Sequence, residues 1–469
     1  NPHPNPSKDP HPNPSPCAQG EGPPRSGSAS AAGPTLLTAA RERHEETVAL
    51  LQDLVRVDSV NPYFSNYEAP SREGDVQDVL AGRLERLGAR LDRWEPDAKT
   101  LARYAGGPGY YPDRDFRGRP NLVATLPGSG GGPSLMLLGH ADVVSAGEGW
   151  TVGPFSAERR DGAIYGRGTA DMKGGLAAAV AALEILNAAN IRLRGDVLFA
   201  SVVDEEAGGM GTLAVVDRGY RADGAIIPEP TDLNVAPLCR GIVWGRLTIP
   251  GRASHIEMPQ PHWRDGGAVD AIALGRTFLD AIDRLNATWA ESPAKRHPLL
   301  PLPCRVKVSM LDAGEFPTAY ANRMRITFDA QYLPAERDER GLGGRVKAEL
   351  ASYFHQIGQE HEWLREHPPR IEWLVDADCG ETAGDHRLSR LVHDAARAAG
   401  AVSRMEGMSS HTDMGLLVNA GIPTVNFGPG APSVAHQPDE HVTERDLLLA
   451  TTTLATAIAE WCGWDASGV

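Results

Sequence analysis

The sequence predicts an α/β protein: a mixed sheet with helices on both faces, interrupted by a smaller α+β unit. Two observations carry this. From about Leu36 onward, apolar runs of strand length alternate with helical segments, the pattern of a sheet covered on both sides. Between residues 241 and 377 the order changes to strand, helix, strand, strand, helix, strand, which is the ferredoxin-like arrangement.

The elements follow in chain order. Ten of the first 34 residues are proline and the hexapeptide PHPNPS occurs twice; such a composition cannot bury a core, so 1–34 is expected to be a disordered tail. Val48, Leu51, Leu54 and Val55 recur at helical spacing and mark an amphipathic first helix. Asn121–Leu126 and Ser134–Gly139 read as strands, and the glycine-rich turn Gly128–Gly132 between them suits a hairpin. Gly174–Asn190 is an alanine-rich buried helix, while Asp196–Val203, Gly224–Ile227 and Thr424–Phe427 are strands. In the inserted unit, Ile242–Ile249, Val306–Leu311, Met324–Tyr332 and Ile371–Val375 are strand-like, and Ala268–Trp289 and Arg345–Ile357 helical. The domains are therefore expected at 35–240, 241–377 and 378–469, the first and last forming one discontinuous catalytic domain.

Charge and cysteines exclude several functions. With 46 Lys+Arg against 61 Asp+Glu, the net charge is −15. Phosphate and anionic lipid both want clustered basic residues, so neither nucleic acid nor a membrane surface is expected as a partner. No apolar run reaches bilayer-spanning length. The residues of a signal peptide are missing from the first segment. Five scattered cysteines without a CxxC pair read as reduced thiols, which leads to the expectation of a cytoplasmic enzyme.

Histidines and carboxylates gather at predicted strand ends. His140 and Asp142 follow one strand, Asp204, Glu205 and Glu206 another, and Glu229 a third; His436 lies in the loop after Thr424–Phe427, and Asp171 just before the alanine-rich helix. Taken singly, each has a bland explanation: a lone histidine is usually surface or core, and Asp-Glu-Glu is often a solvated turn or a helix cap. Five segments delivering such groups to the ligand-binding edge of one sheet are better explained by a site. Two histidines with three carboxylates suit Zn²⁺ or another divalent ion, and one carboxylate can bridge two ions. An acid adjacent to a ligand, as Glu205 is to Glu206, can serve as general base. Asp142, two residues past His140, is placed to accept the imidazole's second N–H.

The motifs GHADVV (139–144), GRGTADMKGG (166–175), DEEAGG (204–209), EPT (229–231) and GPG…AHQPDEHV (428–442) resemble, in the right order, the M20 metallopeptidase and deacylase family, of acetylornithine deacetylase and succinyl-diaminopimelate desuccinylase type. The resemblance implies a mixed-sheet zinc-hydrolase domain with an inserted lid and dimerisation domain, and a homodimer joined through the lids. It also implies two Zn²⁺ ions, with Co²⁺ or Mn²⁺ as alternatives: one held by His140, Asp171 and Glu229, the other by Asp171, Glu206 and His436. Glu205 would be the general base and Asp142 the orienter of His140. His255, within Gly251–His255, would stabilise the oxyanion, often in the partner subunit's site, and Asn322 would contact substrate.

Two departures bear on the substrate. The family's Asp-x-Arg reads Asp329-Ala330-Gln331 here, and its Thr-Asp-x-Arg reads Thr412-Asp413-Met414-Gly415. Those arginines typically grip a substrate carboxylate, so an α-carboxylate loses its usual partner. Formylaminopyrimidine deformylase, a related deacylase whose substrate lacks that group, is compatible with the change. The expected activity is removal of a small acyl group (acetyl, formyl or succinyl) from an amino-acid-like or heterocyclic amine. The alternatives are a dipeptidase or carboxypeptidase of the same family and a catalytically silent binding protein. Nucleophile elbows, dinucleotide or phosphate loops and HExxH are absent from the sequence, which argues against serine hydrolases, dinucleotide enzymes and single-zinc proteases.

Overall fold

The structure is a computed structural model that describes residues 32–63 and 69–466. The expected tail lies outside the described residues except for its last three, which helix α1 (Ala32–Glu42) takes in. Pro34 falls in that helix's first turn, where no intrahelical N–H is required. Helix α2 (His44–Val55) buries Val48, Leu51, Leu54 and Val55 as their spacing predicts, and α3 (Glu73–Arg86) follows.

Ten strands form the two main sheets: β1 (Arg90–Trp94), β2 (Asn121–Leu126), β3 (Leu135–His140), β4 (Val197–Val202), β5 (Gly224–Ile227), β6 (Gly241–Pro250), β7 (Val306–Ala313), β8 (Arg323–Tyr332), β9 (Arg370–Ala377) and β10 (Thr424–Asn426). The first sheet has the order β1-β2-β4-β3-β5-β10. Strands β4, β3, β5 and β10 run parallel, while β2 pairs antiparallel with both β1 and β4. Leu135 and Leu137 pack into one core and Met136 and Leu138 into another on the opposite face. Such a doubly covered strand is apolar throughout rather than alternating. Helix α4 (Gly174–Ala188), buried on nearly every side, packs with α2 and with α7 (Glu444–Cys462) on the first face.

The hairpin expected at Gly128–Gly132 does not form, because β4 lies between β2 and β3. The glycine-rich turn instead crosses the segment entering β4: Ser129 N–H donates to Leu193 O (2.9 Å) and Gly130 N–H to Arg194 O (2.9 Å). A Cβ on Gly132 would stand 1.9 Å from Cys462 O. The glycines thus serve close approach of a third segment, a signal that sequence spacing cannot separate from a two-strand turn.

The second sheet is antiparallel, in the order β7-β8-β6-β9, and this strand–helix–strand–strand–helix–strand unit is the expected ferredoxin-like arrangement. Helices α5 (Ala271–Glu291) and α6 (Gly344–Gln359) cover one face through Phe278, Phe328 and Phe354. The opposite face looks toward the strand ends of the first sheet and forms one wall of a cleft. The four described cysteines are free and buried. Among the described residues, no helix is long and apolar enough to cross a membrane.

Candidate metal centre

The C-terminal ends of β3, β4 and β5 converge with two loops. His140 is the last residue of β3 and is buried. Its Nε2 lies 3.1 Å from Asp171 Oδ1 and 3.7 Å from both Glu205 Oε2 and Glu229 Oε1. On the other side of Asp171, His436 Nε2 is 3.3 Å from Asp171 Oδ2 and 3.3 Å from Glu206 Oε2. Asp171 therefore presents one oxygen to each imidazole. His436 is half-exposed, at the rim, and has a left-handed backbone (φ 61°), a region in which histidine is tolerated better than most residues.

Asp142 differs from its sequence expectation. His140 Nδ1 is 2.9 Å from the Asp142 backbone oxygen, and 3.7 Å from its carboxylate. The Asp142 carboxylate instead accepts the N–H groups of Glu205 (3.2 Å) and Glu206 (3.1 Å) and Asn61 Nδ2 (2.7 Å). It ties the β3 end to the turn that carries both glutamates. Behind that turn, Asp204 (φ 70°) meets Arg119 Nη2 at 3.3 Å, and Arg119 pairs with buried Glu73.

Sequence reading also missed Glu440, although it lies within a quoted motif. The strand His441–Thr443 pairs with Ala163–Tyr165 and delivers Glu440 beneath the Asp171 loop. Its Oε1 accepts the N–H groups of Gly168 (3.0 Å), Ala170 (2.9 Å) and Asp171 (3.1 Å), and its Oε2 pairs with buried Arg167. An acid accepting three amides of one loop, that of Asp171 among them, sets the direction of Asp171. Glu440→Gln keeps an acceptor but leaves Arg167 buried without its counter-charge. We expect a loss of about 3 kcal/mol in urea denaturation of the metal-free protein, as for other broken buried pairs. Wild-type stability would show that Arg167 finds another partner.

Burial pushes Glu205 and Glu229 well above the ordinary carboxylate range, with His140 working against the shift. Burial disfavours charge on His140, yet the surrounding carboxylates hold it well above the usual imidazole value. Glu206, with Asp171, raises His436 to about 11. Asp171 is held low by hydrogen bonds from both imidazoles, which outweigh its burial. A crowd of carboxylates that depends on protonated imidazoles for balance is one that divalent cations can balance instead, releasing those protons. Buried Glu206 Oε1 has no hydrogen-bond partner, and one ligand atom each from His140, Asp171 and Glu206 lies within 4.8 Å of the others. Two imidazoles and four carboxylates about a shared Asp171 fit a pair of divalent ions.

These groups open into a cleft of about 960 Å³ whose far wall is the second sheet, through Ile242, Trp244, Lys307, Asp329 and Gln331. Gln331 is pinned there: Arg240 Nη1 donates to its Oε1 (2.9 Å), and its Nε2 donates to Ser409 O (3.3 Å). A Cβ on Gly415 would come within 2.6–2.8 Å of the Asp378 carboxyl group, so no longer side chain fits there. Among the described residues, no arginine lines the cleft. His255 and Asn322 are not brought to the cluster. His255 is exposed, its Nδ1 accepting Glu257 N–H (3.3 Å), and Asn322 Nδ2 donates to Glu315 (3.1 Å).

A mixed-sheet domain carrying a histidine–carboxylate cluster at its strand ends defines a class of metal-dependent hydrolases. Residues 136–460 match peptidase family M20/M25/M40, and the chain belongs to that family as a hydrolase of amide bonds. It is 31% identical to N-formyl-4-amino-5-aminomethyl-2-methylpyrimidine deformylase of Halalkalibacterium halodurans, over 91% of this chain and 97% of that one. Identity to acetylornithine deacetylase of Myxococcus xanthus is 30%, over 73% of this chain and 84% of that one. Among solved structures, human carnosine dipeptidase 1 shares the fold with a TM-score of 0.70 at 16% identity, covering 92% of this chain and 99% of that one. A Bacillus subtilis protein described as a dinuclear metal binding peptidase of family M20 matches with a TM-score of 0.56 at 14% identity, over 90% of this chain and 99% of that one.

Proposed function

We propose that this chain is a two-zinc deacylase that removes a small acyl group, formyl first among them, from the aminomethyl nitrogen of an aminopyrimidine-like heterocycle. The observation that carries the reading is the arginine-free cleft, in which Gln331 is pinned and Gly415 is closed off by Asp378. A substrate bearing an α-carboxylate finds no guanidinium there to pair with, whereas a heterocyclic amide needs none. Similarity along almost the whole length to a deformylase of such a substrate supports the same choice.

In this reading His140, Asp171 and Glu229 hold one ion, and Asp171, Glu206 and His436 the other. When bound, the ions acidify water and polarise the amide carbonyl. Glu205, buried beside His140, takes a proton from the attacking water and passes it to the leaving nitrogen. The Asp142 carboxylate, through the Glu205 and Glu206 amides, keeps base and ligand in fixed relation. Residues 241–377 act as the lid. The chain works as a dimer through that unit, with Asn322 and the partner's His255 completing the site on closure. The exposed edge strand β7, with Met310 and Leu311, and exposed Ile256, Met258 and Phe316 are apolar surface of the kind that marks an interface.

A substrate panel on the zinc-loaded enzyme tests the reading. N-formyl aminomethylpyrimidine should exceed N-acetyl amino acids and dipeptides in kcat/KM by at least about tenfold, a difference of about 1.4 kcal/mol. Preference for dipeptides would make the chain a peptidase. Two bound ions with no turnover on any member would make it a binding protein.

A further inference from the structure

Two acceptors beside the general base Glu205, His411 and Asp413, have no role in the scheme above. A carboxylate oxygen of Glu205, a ring nitrogen of His411 and a carboxylate oxygen of Asp413 all lie within 4.8 Å of one another. His411 and Glu205 both line the cleft. His411 Nδ1 lies 2.9 Å from Asp378 O; because a carbonyl only accepts, Nδ1 carries the proton and Nε2 is left as a lone pair. That Nε2 is buried with no hydrogen-bond partner. Asp413 is 1% exposed, its Oδ2 accepts from Thr212 Oγ1 (2.5 Å), and its Oδ1 is likewise buried and unpartnered. Orphaned buried acceptors are costly, and these two belong to side chains that each bring one ligand atom to the same trio.

The geometry specifies what would satisfy them. Three acceptors no more than 4.8 Å apart share a point within about 2.8 Å of all three, which is N–H···O hydrogen-bond reach. An alkylammonium group has three N–H donors, one for each corner. We propose that Glu205, His411 and Asp413 form the seat of the leaving amine; this deepens, and rests on, the deacylase reading above. Amide cleavage consumes one water. Its oxygen and one hydrogen join the carbonyl carbon as the C–N bond breaks, and its other proton reaches the nitrogen through Glu205, giving R–NH₂ and a carboxylic acid. The acid's proton then passes to the amine, so the products are a carboxylate and R–NH₃⁺. The ammonium is formed next to Glu205, where an all-acceptor trio holds it. The same trio repels a carboxylate on the amine side of the substrate, in keeping with the arginine-free cleft.

Product inhibition of the zinc-loaded enzyme tests the seat, using methylammonium and the deformylated aminomethylpyrimidine as amines and formate as the acid. In His411→Leu and Asp413→Asn the inhibition constants of both amines should rise at least tenfold, while that of formate stays within twofold. His411→Gln, which restores a side-chain acceptor, should recover most of the amine affinity; this separates lost acceptance from lost packing. Unchanged amine affinity in the leucine and asparagine variants would overturn the proposal. So would a third equivalent of metal that Asp413→Asn removes, since the trio would then be a cation site. If the wild type hydrolyses no N-formyl amine, the substrate reading fails by itself, and calorimetric titration with the same amines still decides the seat.

Discussion

Glu205→Gln should retain its full complement of metal while kcat falls by about 10²–10⁴-fold, the loss that follows removal of a general base. The neighbouring glutamates are separated by where they point. Glu206 reaches His436 at 3.3 Å on the outer side of Asp171, whereas Glu205 reaches His140 at 3.7 Å on the inner side and lines the cleft. Both backbone amides are held by the Asp142 carboxylate, so neither glutamate swings without the other. Glutamine is nearly isosteric and keeps an oxygen toward His140, so the cluster's shape survives. What is lost is the ability to carry a proton from water to the leaving nitrogen. Metal analysis and steady-state kinetics on one preparation check this. Loss of metal from Glu205→Gln, with Glu206→Gln retaining it, would exchange the assignments of ligand and base.

How much of this was legible in the sequence depends on the kind of signal. Elements with a strong period or a continuous apolar run were readable: α4, β3, β4 and all four strands of the second sheet lie within a few residues of where their patterns put them. The convergence of His140, Asp171, Glu205, Glu206, Glu229 and His436 was also readable, because strand ends in an open sheet share one edge. The order of strands was not. A turn of five residues rich in glycine predicts a hairpin, and only tertiary packing shows that β4 intervenes. Nor could spacing reveal Glu440, whose role is to gather three amides of a loop some 270 residues earlier. The unpartnered acceptors of His411 and Asp413 were equally illegible, since a missing hydrogen bond leaves no trace in periodicity. The Asp142 carboxylate accepts from the glutamate turn and lies 3.7 Å from the imidazole it was expected to orient, a choice that two-residue spacing alone leaves open.

Mixing two inactive variants should restore activity. Within one chain His255 is exposed, lies in the second unit and does not line the cleft. Its loop is surrounded by apolar side chains turned to solvent: Ile256 is 45% exposed, Met258 58% and Phe316 68%. An isolated chain leaves both facts unexplained. A two-fold dimer through the second sheets would cover the apolar surface, and because such an interface is isologous it would place both His255 side chains equivalently, each at the other subunit's cleft or neither. If the imidazole serves as oxyanion donor there, His255→Ala alone should lower kcat by about 10²–10³-fold. Glu205→Gln is inactive for its own reason. After random subunit exchange about half the dimers pair one variant with the other, and in each of these one site combines an intact Glu205 with an intact His255 from the partner, so activity should return to about a quarter of wild type. Were His255 to act within its own chain, every site in the mixed dimer would still lack one of the two groups. A mixture as inactive as its components, with exchange confirmed by mass spectrometry of the dimers, would therefore falsify the shared site and confine His255 to its own subunit.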